Sequence, residues 1–571
     1  MSNQSYTYQD LHANYVNRRI QKIKSEPWIT GDKLLSLINN NRKELSYNKR
    51  YIFKDLMKFL NDNSSDICAL YGLRRTGKSV LMRQAIAELL RNKVDPINIM
   101  YITFSKNTQY TDEKLIDEIR SMTHNVKYIF IDEVSYISMD LENNSLNLLS
   151  DEFAIQGKRI VITGTFSFAL KLLSDDALFD RMVKIDTTYF SFREAHNIFG
   201  YSLDHFIKYG GIILDTFENK ITPKEYMNTA ITSNIINSLI KSDKIFDIEY
   251  TDKKLESASD NIKYARRRLV VLIKRVLDNY LKWLIYSKIV NARYKYSDVG
   301  NLADLIKQRS QRDLESHESM SDIINISKDK YYKILNEKLG SIDSKDISKE
   351  CFEEFLNIFK QIGIIEDLHL DGRYESCFVT NYLRYGLCEE IVNQIDNEIK
   401  LETNGRYSAE LALDNLKGSI LECIVYLDIK HSNKYNYSKY RSETTGYEVD
   451  LVIIRDNTLD LYEIKHSSQP LDAHARNIVN VDFLNEVKNV FEKDNTKCTI
   501  GSYNILYKGE TLSKSINPYN LFAEQEAQAI KENQRNKWEN LKEKALVFDW
   551  QPITVNFINV EEFLCNLWPK Q

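Results

Sequence analysis

Gly72-Leu-Arg-Arg-Thr-Gly77-Lys78-Ser79 sets a lysine directly after a glycine and follows it with a hydroxyl. The chemistry available to that spacing is anion binding. Glycines let peptide N–H groups turn inward around phosphate oxygens, the lysine reaches terminal phosphates, and the hydroxyl ligates Mg²⁺. Ile67–Tyr71 upstream reads as a short buried strand and Val80–Ile86 downstream as a helix, whose amino end adds a favourable dipole. Gly72, Arg75, Thr76, Gly77, Lys78 and Ser79 are thus candidate binders of a nucleoside triphosphate, and ATP with Mg²⁺ is the expected cofactor pair. The adjacent arginines Arg74 and Arg75 would be felt by a triphosphate, by DNA or by a partner.

Hydrolysis needs acids placed beside that cradle. Lys127-Tyr-Ile-Phe-Ile-Asp132-Glu133 is an apolar strand ending in two carboxylates. Asp132 suits a Mg²⁺ shell, and Glu133 suits a base that polarises attacking water. Arg159-Ile-Val-Ile-Thr163-Gly-Thr165 ends a further strand in hydroxyls. Ligands gather at carboxyl ends of parallel strands, so Thr163 and Thr165 are candidates to sense the terminal phosphate. A purely structural Thr-Gly turn fits equally well. Arg181 is a candidate to neutralise transition-state charge, in its own chain or from a neighbouring copy.

A second constellation lies near the other end. Tyr447-Glu-Val-Asp450-Leu-Val-Ile-Ile454 and Leu459-Asp-Leu-Tyr-Glu463-Ile-Lys465 read as strands joined by Arg455–Thr458. Simple hairpin register pairs 454 with 459 and sets Asp450 opposite Glu463, where like charges repel unless a cation lies between them. Period-2 alternation puts Lys465 on the face of Glu463. Two acids and a lysine on one face can hold Mg²⁺ and orient an attacking water. A slip of one residue would scatter the set. Upstream, Glu422 lies in a helix among apolar neighbours, an odd place for a solvated acid.

The elements that must position these residues follow from pattern. Strands at 67–71, 98–104, 127–132, 159–163 and 182–186 alternate with helices, which implies a parallel sheet between helical layers. Residues 1–48 read as a helical leader, 49–190 as the nucleotide core, and 191–325 as a helical lid and connection, in which Arg268–Leu277 is most apolar and 301–325 polar. Within 326–400, a helix over Ile347–Ile362, Gly363, a strand over Ile364–Leu370, Asp371-Gly372 and a strand over Tyr374–Thr380 give a winged-helix-like layout. Such a module binds DNA or packs as a lid, and the sequence leaves both open. Residues 401–571 return to helix and strands, with a charged helix around Glu524–Lys544 that reads as solvated.

Composition bounds the rest. At 571 residues the chain exceeds one core, and roughly three or four domains are expected. A formal net charge of −4 gives no global drive toward nucleic acid, so any DNA contact needs a local basic patch. Seven scattered cysteines without a Cys-x-x-Cys pair argue against structural zinc and a disulfide framework, and suit a reducing cytoplasm. No segment approaches the ~20 apolar residues of a membrane span, so no membrane association is expected.

Gly-Leu-Arg-Arg-Thr-Gly-Lys-Ser, the Ile-Asp-Glu strand, Thr-Gly-Thr, Ser191-Phe-Arg-Glu194 and Tyr209-Gly-Gly211 together resemble a bacterial and archaeal family of AAA-type ATPases related to the STAND class. The resemblance covers most of the chain from about 49 to 510. It departs at Gly164-Thr165, where the family has Gly-Ser, and at Ile212-Ile213, where a proline is usual. It implies an α/β fold: a P-loop NTPase sheet, a helical lid, a winged-helix-like module and a C-terminal restriction-endonuclease-like domain of PD-(D/E)XK type. In that domain the family's metal site is a helical glutamate, an aspartate after Glu-Val, and Glu-x-Lys. Those residues match Glu422, Asp450, Glu463 and Lys465, with Asp450 and Glu463 as metal ligands, and Arg441 and Gly446 fit the run-up. The resemblance implies an ATP hydrolase whose nucleotide state governs DNA binding or Mg²⁺-dependent DNA cleavage, as in defence against foreign DNA. A catalytically silent domain that binds a partner is the alternative. Self-association is expected if Arg181 acts in trans.

Overall fold

The computed structural model describes residues 29–41, 45–62, 66–104, 116–117, 119–120, 126–134, 149–164, 181–213, 221–235, 357–370, 373–386, 389, 406–442, 447–492, 498–518, 521 and 552–569. The expectations for the segments around 268–277, 301–325, 347–356 and 524–544, and for Thr165 and Gly446, lie outside these residues. Contacts divide the chain into two compact units. The first holds the described residues up to Ser202, those from Tyr209 to 235, and 357–365. The second holds Leu203–Lys208 and the described residues from Glu366 onward.

In the first unit, helices α1 (Gly31–Asn40) and α2 (Phe53–Asn61) precede strand β1 (Ile67–Tyr71), the P-loop and helix α3 (Lys78–Arg91). Strands β2 (Ile99–Thr103), β3 (Tyr128–Asp132), β4 (Arg159–Thr163) and β5 (Met182–Asp186) complete a sheet of order β2-β3-β4-β1-β5. Every pairing in it is parallel. Three strands keep the bounds expected from sequence, and the other two are trimmed at their ends. Their continuous apolar runs arise because both faces are buried. Ile67, Ala69, Met100, Ile102, Ile129 and Ile131 pack on one face. Cys68, Leu70, Ile99, Tyr101 and Phe130 pack on the other against Leu34, Leu56 and Leu81 of the helices. A backbone bridge from Ile29 to Tyr101 covers the exposed edge of β2.

Sheet order is what matters for the site. Strand β4 lies between β1 and β3, so the loop after β1 and the acids at the end of β3 flank the carboxyl end of β4. After β5 comes helix α4 (Phe192–Phe199), started by Ser191 and Glu194 as a reciprocal capping box and stopped by Gly200 in the left-handed region. The motif Ser-Phe-Arg-Glu is thus a helix start in physical terms.

Helix α5 (Leu203–Tyr209) leads into Gly210 and Gly211. In the second unit, β6 (Ile365–Leu370) and β7 (Arg373–Phe378) form a two-stranded sheet after the helical turn at 357–361, which Gly363 ends at φ +77°. That hairpin follows the layout expected from sequence. Helix α6 (Arg406–Ser432) holds it through Lys430 and His431, which both pair with Glu366.

The main sheet of this unit comprises β8 (Asn436–Arg441), β9 (Glu448–Arg455), β10 (Thr458–Ile464), β11 (Thr499–Tyr507), β12 (Leu512–Ile516) and β13 (Ile553–Asn559), with helices α7 (Val481–Phe491) and α8 (Val560–Leu567). Its order is β12-β13-β11-β10-β9-β8. β8, β9 and β10 run antiparallel, while β10, β11 and β13 run parallel. The expected hairpin register holds, with Ile454 opposite Leu459. The regular pairing ends at Leu451 and Tyr462, one step before Asp450 and Glu463. One face buries Val452, Leu461, Ile505, Phe483 and Phe557. Among the described residues no helix is long and apolar enough to cross a membrane.

Two glycines in the first unit answer to different constraints. A Cβ on Gly211 would fall 1.9 Å from the Phe190 Cβ, whereas Gly157 meets nothing but sits at φ +82°. Gly211→Ala should therefore cost about 2–3 kcal/mol by overpacking, and Gly157→Ala about 1 kcal/mol by backbone strain. Chemical denaturation of both variants checks the order; equal losses would refute it.

Candidate functional site

The P-loop backbone is fastened carbonyl by carbonyl. Tyr71 O accepts from Thr187 N–H (2.8 Å) and Thr187 Oγ1 (3.0 Å). Lys78 Nζ donates to Gly72 O and Leu73 O, both at 2.8 Å, and Thr76 Oγ1 also donates to Leu73 O. Arg74 O accepts from the Tyr226 hydroxyl (2.9 Å), Arg75 O from Ile213 N–H (3.0 Å), Thr76 O from Arg50 Nη1 (3.1 Å), and Gly77 O from Leu81 N–H (2.9 Å). A trans peptide sets its carbonyl and its N–H on opposite sides. Committing the carbonyls to these donors directs the N–H groups away from them, which is the requirement for an anion nest. Gly72, Arg75 and Gly77 have φ of 144°, 65° and 85°. At Gly72 a Cβ would lie 2.4 Å from Thr187 Oγ1, so glycine is demanded there by both conformation and space. At Ile213, a proline of the kind usual after Gly-Gly would have no N–H to give Arg75.

Arg50 organises the base of this loop. Its guanidinium is 7% exposed and donates to Thr76 O, Thr187 O (2.8 Å), Tyr189 O and Glu194 Oε1 (3.3 Å). It also stacks on Phe190, 4.1 Å from the ring centre. Glu194 is thereby both half of the α4 capping box and the counter-ion of Arg50.

The expected metal pair does come together. Ser79 Oγ donates to Asp132 Oδ1 (3.1 Å), and the Tyr101 hydroxyl donates to Asp132 Oδ2 (2.9 Å). Burial pushes the Asp132 carboxyl above its usual range; the Ser79 hydrogen bond opposes this and the neighbouring Glu133 charge adds to it. Burial also lowers Lys78 to about 8, against the pull of Glu133 and Asp132. Glu133 follows at φ 60°, a conformation non-glycine residues adopt only under constraint. Thr163 ends β4 between these groups, fully buried, and its Oγ1 has no hydrogen-bond partner among the described residues. An orphaned buried hydroxyl between the P-loop strand and the acid strand fits a group that would bind phosphate there.

Arg181 does not join them. It is exposed and precedes β5, where its carbonyl accepts from Ile67 N–H (3.0 Å) at the amino end of β1. Parallel strands place all amino ends at one edge and the P-loop at the other. The role expected for Arg181 within its own chain is therefore corrected.

In the second unit, Lys465 Nζ lies between two carboxylates, 3.2 Å from Asp450 Oδ2 and 2.6 Å from Glu463 Oε2. Asp450 Oδ2 also accepts the Ile464 N–H (2.8 Å), which takes the place of the next ladder bond. Glu463 is 1% exposed, and its Oε1 accepts from Asn477 Nδ2 (3.0 Å). The Tyr426 hydroxyl donates to the Asp450 carbonyl. Burial opposes the charge on both partners of the ion pair. The Lys465 ammonium nonetheless holds Asp450 below its usual range, and the two carboxylates hold Lys465 above its own. Glu422, on α6, adds its charge to the field at Lys465. The hairpin thus brings Asp450, Glu463 and Lys465 together, and α6 adds Glu422 to their field. Among the described residues no group of three or more His, Cys, Asp or Glu side chains is set to hold a metal ion.

Arg50, Tyr101, Tyr226 and Asn477 escaped the sequence reading. Nothing in their local pattern marks them, because each acts across at least 14 residues of chain.

A family described as AAA domain matches residues 64–196. Those residues, which carry the P-loop and strands β1 to β5, are similar to an AAA-type domain. The curated proteins contain no match to this chain. Among solved structures, the chain is similar to Saccharomyces cerevisiae Hsp104 in an extended casein complex, at 10% identity over 69% of this chain and 85% of that one, with a TM-score of 0.28. It is also similar to Aeropyrum pernix ORC2 (10% identity, 68% and 98% covered, TM-score 0.24) and to A. pernix ORC1 in complex with DNA (13% identity, 63% and 92% covered, TM-score 0.21). At such scores the likeness carries no weight for fold or function.

Removing Arg50 leaves Glu194 buried without its counter-ion. Arg50→Met should cost about 3–5 kcal/mol, and Glu194→Gln in the same chain should recover part of that loss. Unfolding of the single and double variants measures both. Simple additivity of the two losses would show that the pair is not coupled.

Proposed function

We propose that this chain is an ATP-hydrolysing switch whose AAA-type domain governs a C-terminal PD-(D/E)XK nuclease-like domain that engages DNA and cleaves it with Mg²⁺. The observation that carries the C-terminal half of this reading is the Lys465 ammonium held between Asp450 and Glu463 in the field of Glu422. The Ser79–Asp132 contact beside a carbonyl-fastened P-loop supports the other half.

In the first unit, the P-loop N–H groups and Lys78 would hold ATP phosphates, and Ser79 with Asp132 would hold Mg²⁺. Bound MgATP supplies a phosphoanhydride whose cleavage is strongly favourable. Glu133 accepts the proton of the attacking water, and its constrained backbone fixes the carboxylate for that task. Thr163 donates its unsatisfied hydroxyl to the terminal phosphate. Tyr101 and Ser79 restrain the two Asp132 oxygens, so that the carboxylate cannot rotate away from the metal position.

In the second unit, Asp450 and Glu463 would hold Mg²⁺, which supplies a Lewis acid for a scissile phosphate. Lys465 orients the water, Asn477 restrains Glu463, and Glu422 completes the acidic field. Coupling has a covalent route. Leu203–Lys208 cluster with the C-terminal unit, where Asp204 pairs with Lys508 (2.7 Å) and His466 (3.2 Å). The chain then continues directly to Gly210–Ile213, whose last N–H holds the P-loop at Arg75.

A second reading has its own support. With Lys465 bonded to both carboxylates and no three-ligand group among the described residues, the C-terminal domain would instead bind a partner without cutting it.

Lys78→Ala should weaken fluorescent ATP-analogue binding roughly ten- to hundredfold, the value of a charged hydrogen bond. Glu133→Gln should leave that affinity intact while stopping turnover. Asp450→Ala and Lys465→Ala should abolish Mg²⁺-dependent DNA cleavage with ATP turnover retained. Unchanged affinity in Lys78→Ala overturns the nucleotide site. No cleavage by the wild type under any nucleotide condition, with turnover intact, selects the partner-binding reading.

A further inference from the structure

Two cysteines far apart in sequence meet inside the second unit. Cys377 lies in β7, one residue before its end, and Cys423 lies on α6, and their sulfurs are 3.3 Å apart although the residues are 46 positions apart. Each is 6% exposed. Buried cysteines usually serve as small apolar side chains, but this pair has a buried cation beside it. Arg384, 5% exposed on the short helix at 381–386, donates from Nη1 to Cys423 Sγ at 3.2 Å. Its Nη2 donates to Ser419 Oγ at 2.8 Å, one turn earlier on α6, which fixes the guanidinium plane. A guanidinium against sulfur favours thiolate over thiol, the requirement for a nucleophilic cysteine.

We infer that Cys377 and Cys423 form a peroxide-reactive dithiol, with Cys423 as the attacking thiolate and Cys377 as the resolving thiol. The Cys423 sulfur attacks one oxygen of a peroxide, the O–O bond breaks, and the leaving oxygen departs as water once protonated. The sulfenic acid left on Cys423 is then attacked by the Cys377 thiol, which forms the S–S bond and releases a second water. Two thiols lose two electrons and two hydrogens, and one hydrogen peroxide becomes two waters, so the balance closes without another reactant. Arg384 places positive charge beside Cys423 and Cys377 supplies the neighbouring sulfur, so both steps are local.

The bond would tie the β6–β7 hairpin to α6 at the residue following Glu422. A covalent staple there fixes the register of α6 against the hairpin beside the Asp450–Glu463–Lys465 cluster. The sulfur chemistry is independent of whether that cluster cuts DNA.

The test uses the full chain, reduced and then exposed to graded hydrogen peroxide, alkylated and mapped by peptide mass spectrometry without reductant. The expected product is a peptide linking 377 to 423, lighter by two hydrogens and released by dithiothreitol. It should appear at doses below those that oxidise half-buried Cys565, and Arg384→Met should slow its formation several-fold. Cys377→Ser should instead trap a sulfenic acid on Cys423, detectable with dimedone. If Cys565 oxidises while Cys377 and Cys423 stay alkylatable, or if Cys423 proceeds to sulfinic acid without linking, the proposal is overturned. The wild-type map decides this even if the arginine variant fails to fold.

Discussion

An ion taken out of water costs several kcal/mol unless protein groups replace its hydration, and the two sites of this chain are built around ions that meet that condition. Arg50 is neutralised by Glu194 and shared among three backbone carbonyls. Lys78 takes two loop carbonyls, Asp132 takes two hydroxyls, and Lys465 takes two carboxylates. The pairings of Arg50 and Asp132, and that of Lys465 with Asp450, join segments at least 15 residues apart, so the requirement to satisfy buried charge also fixes the tertiary arrangement around each site. The apolar core supplies the bulk of the driving force, but it does not choose one loop conformation. The charges do.

That logic explains why the P-loop is held from both sides. From below, Arg50 and Thr187 grip its backbone. From beyond α5, Ile213 and Tyr226 grip the arginine stretch. A loop restrained at each carbonyl has lost its conformational entropy in advance, and an anion entering it does not have to supply that cost. The same restraint links the loop to the segment that follows α5, so a displacement of Ile213 is a displacement of Arg75.

The second unit repeats the principle with opposite polarity. A lysine separates two acids that the hairpin register would otherwise set against each other; Asn477 takes the second Glu463 oxygen, and the Ile464 N–H shares Asp450 Oδ2 with the lysine. The regular ladder stops one pair short of Asp450 because the carboxylate itself has captured the next N–H. With Glu422 in its field, the cluster sets three acids against one lysine.

Strand positions, the P-loop, the acids of β3 and the hairpin register around Asp450 were legible in the sequence, since each depends on local periodicity or on spacing within one turn or one loop. Sheet order was not, because parallel strands connect through helices and many orders share one pattern of elements. With the order came the place of Thr163 between loop and acids, and the exile of Arg181 to the far edge of the sheet. Arg50, Tyr101, Tyr226 and the Cys377–Cys423 pair likewise belong to the tertiary structure alone. Their partners lie at least 26 residues away, and no one-dimensional pattern encodes which buried donor will meet which buried acceptor.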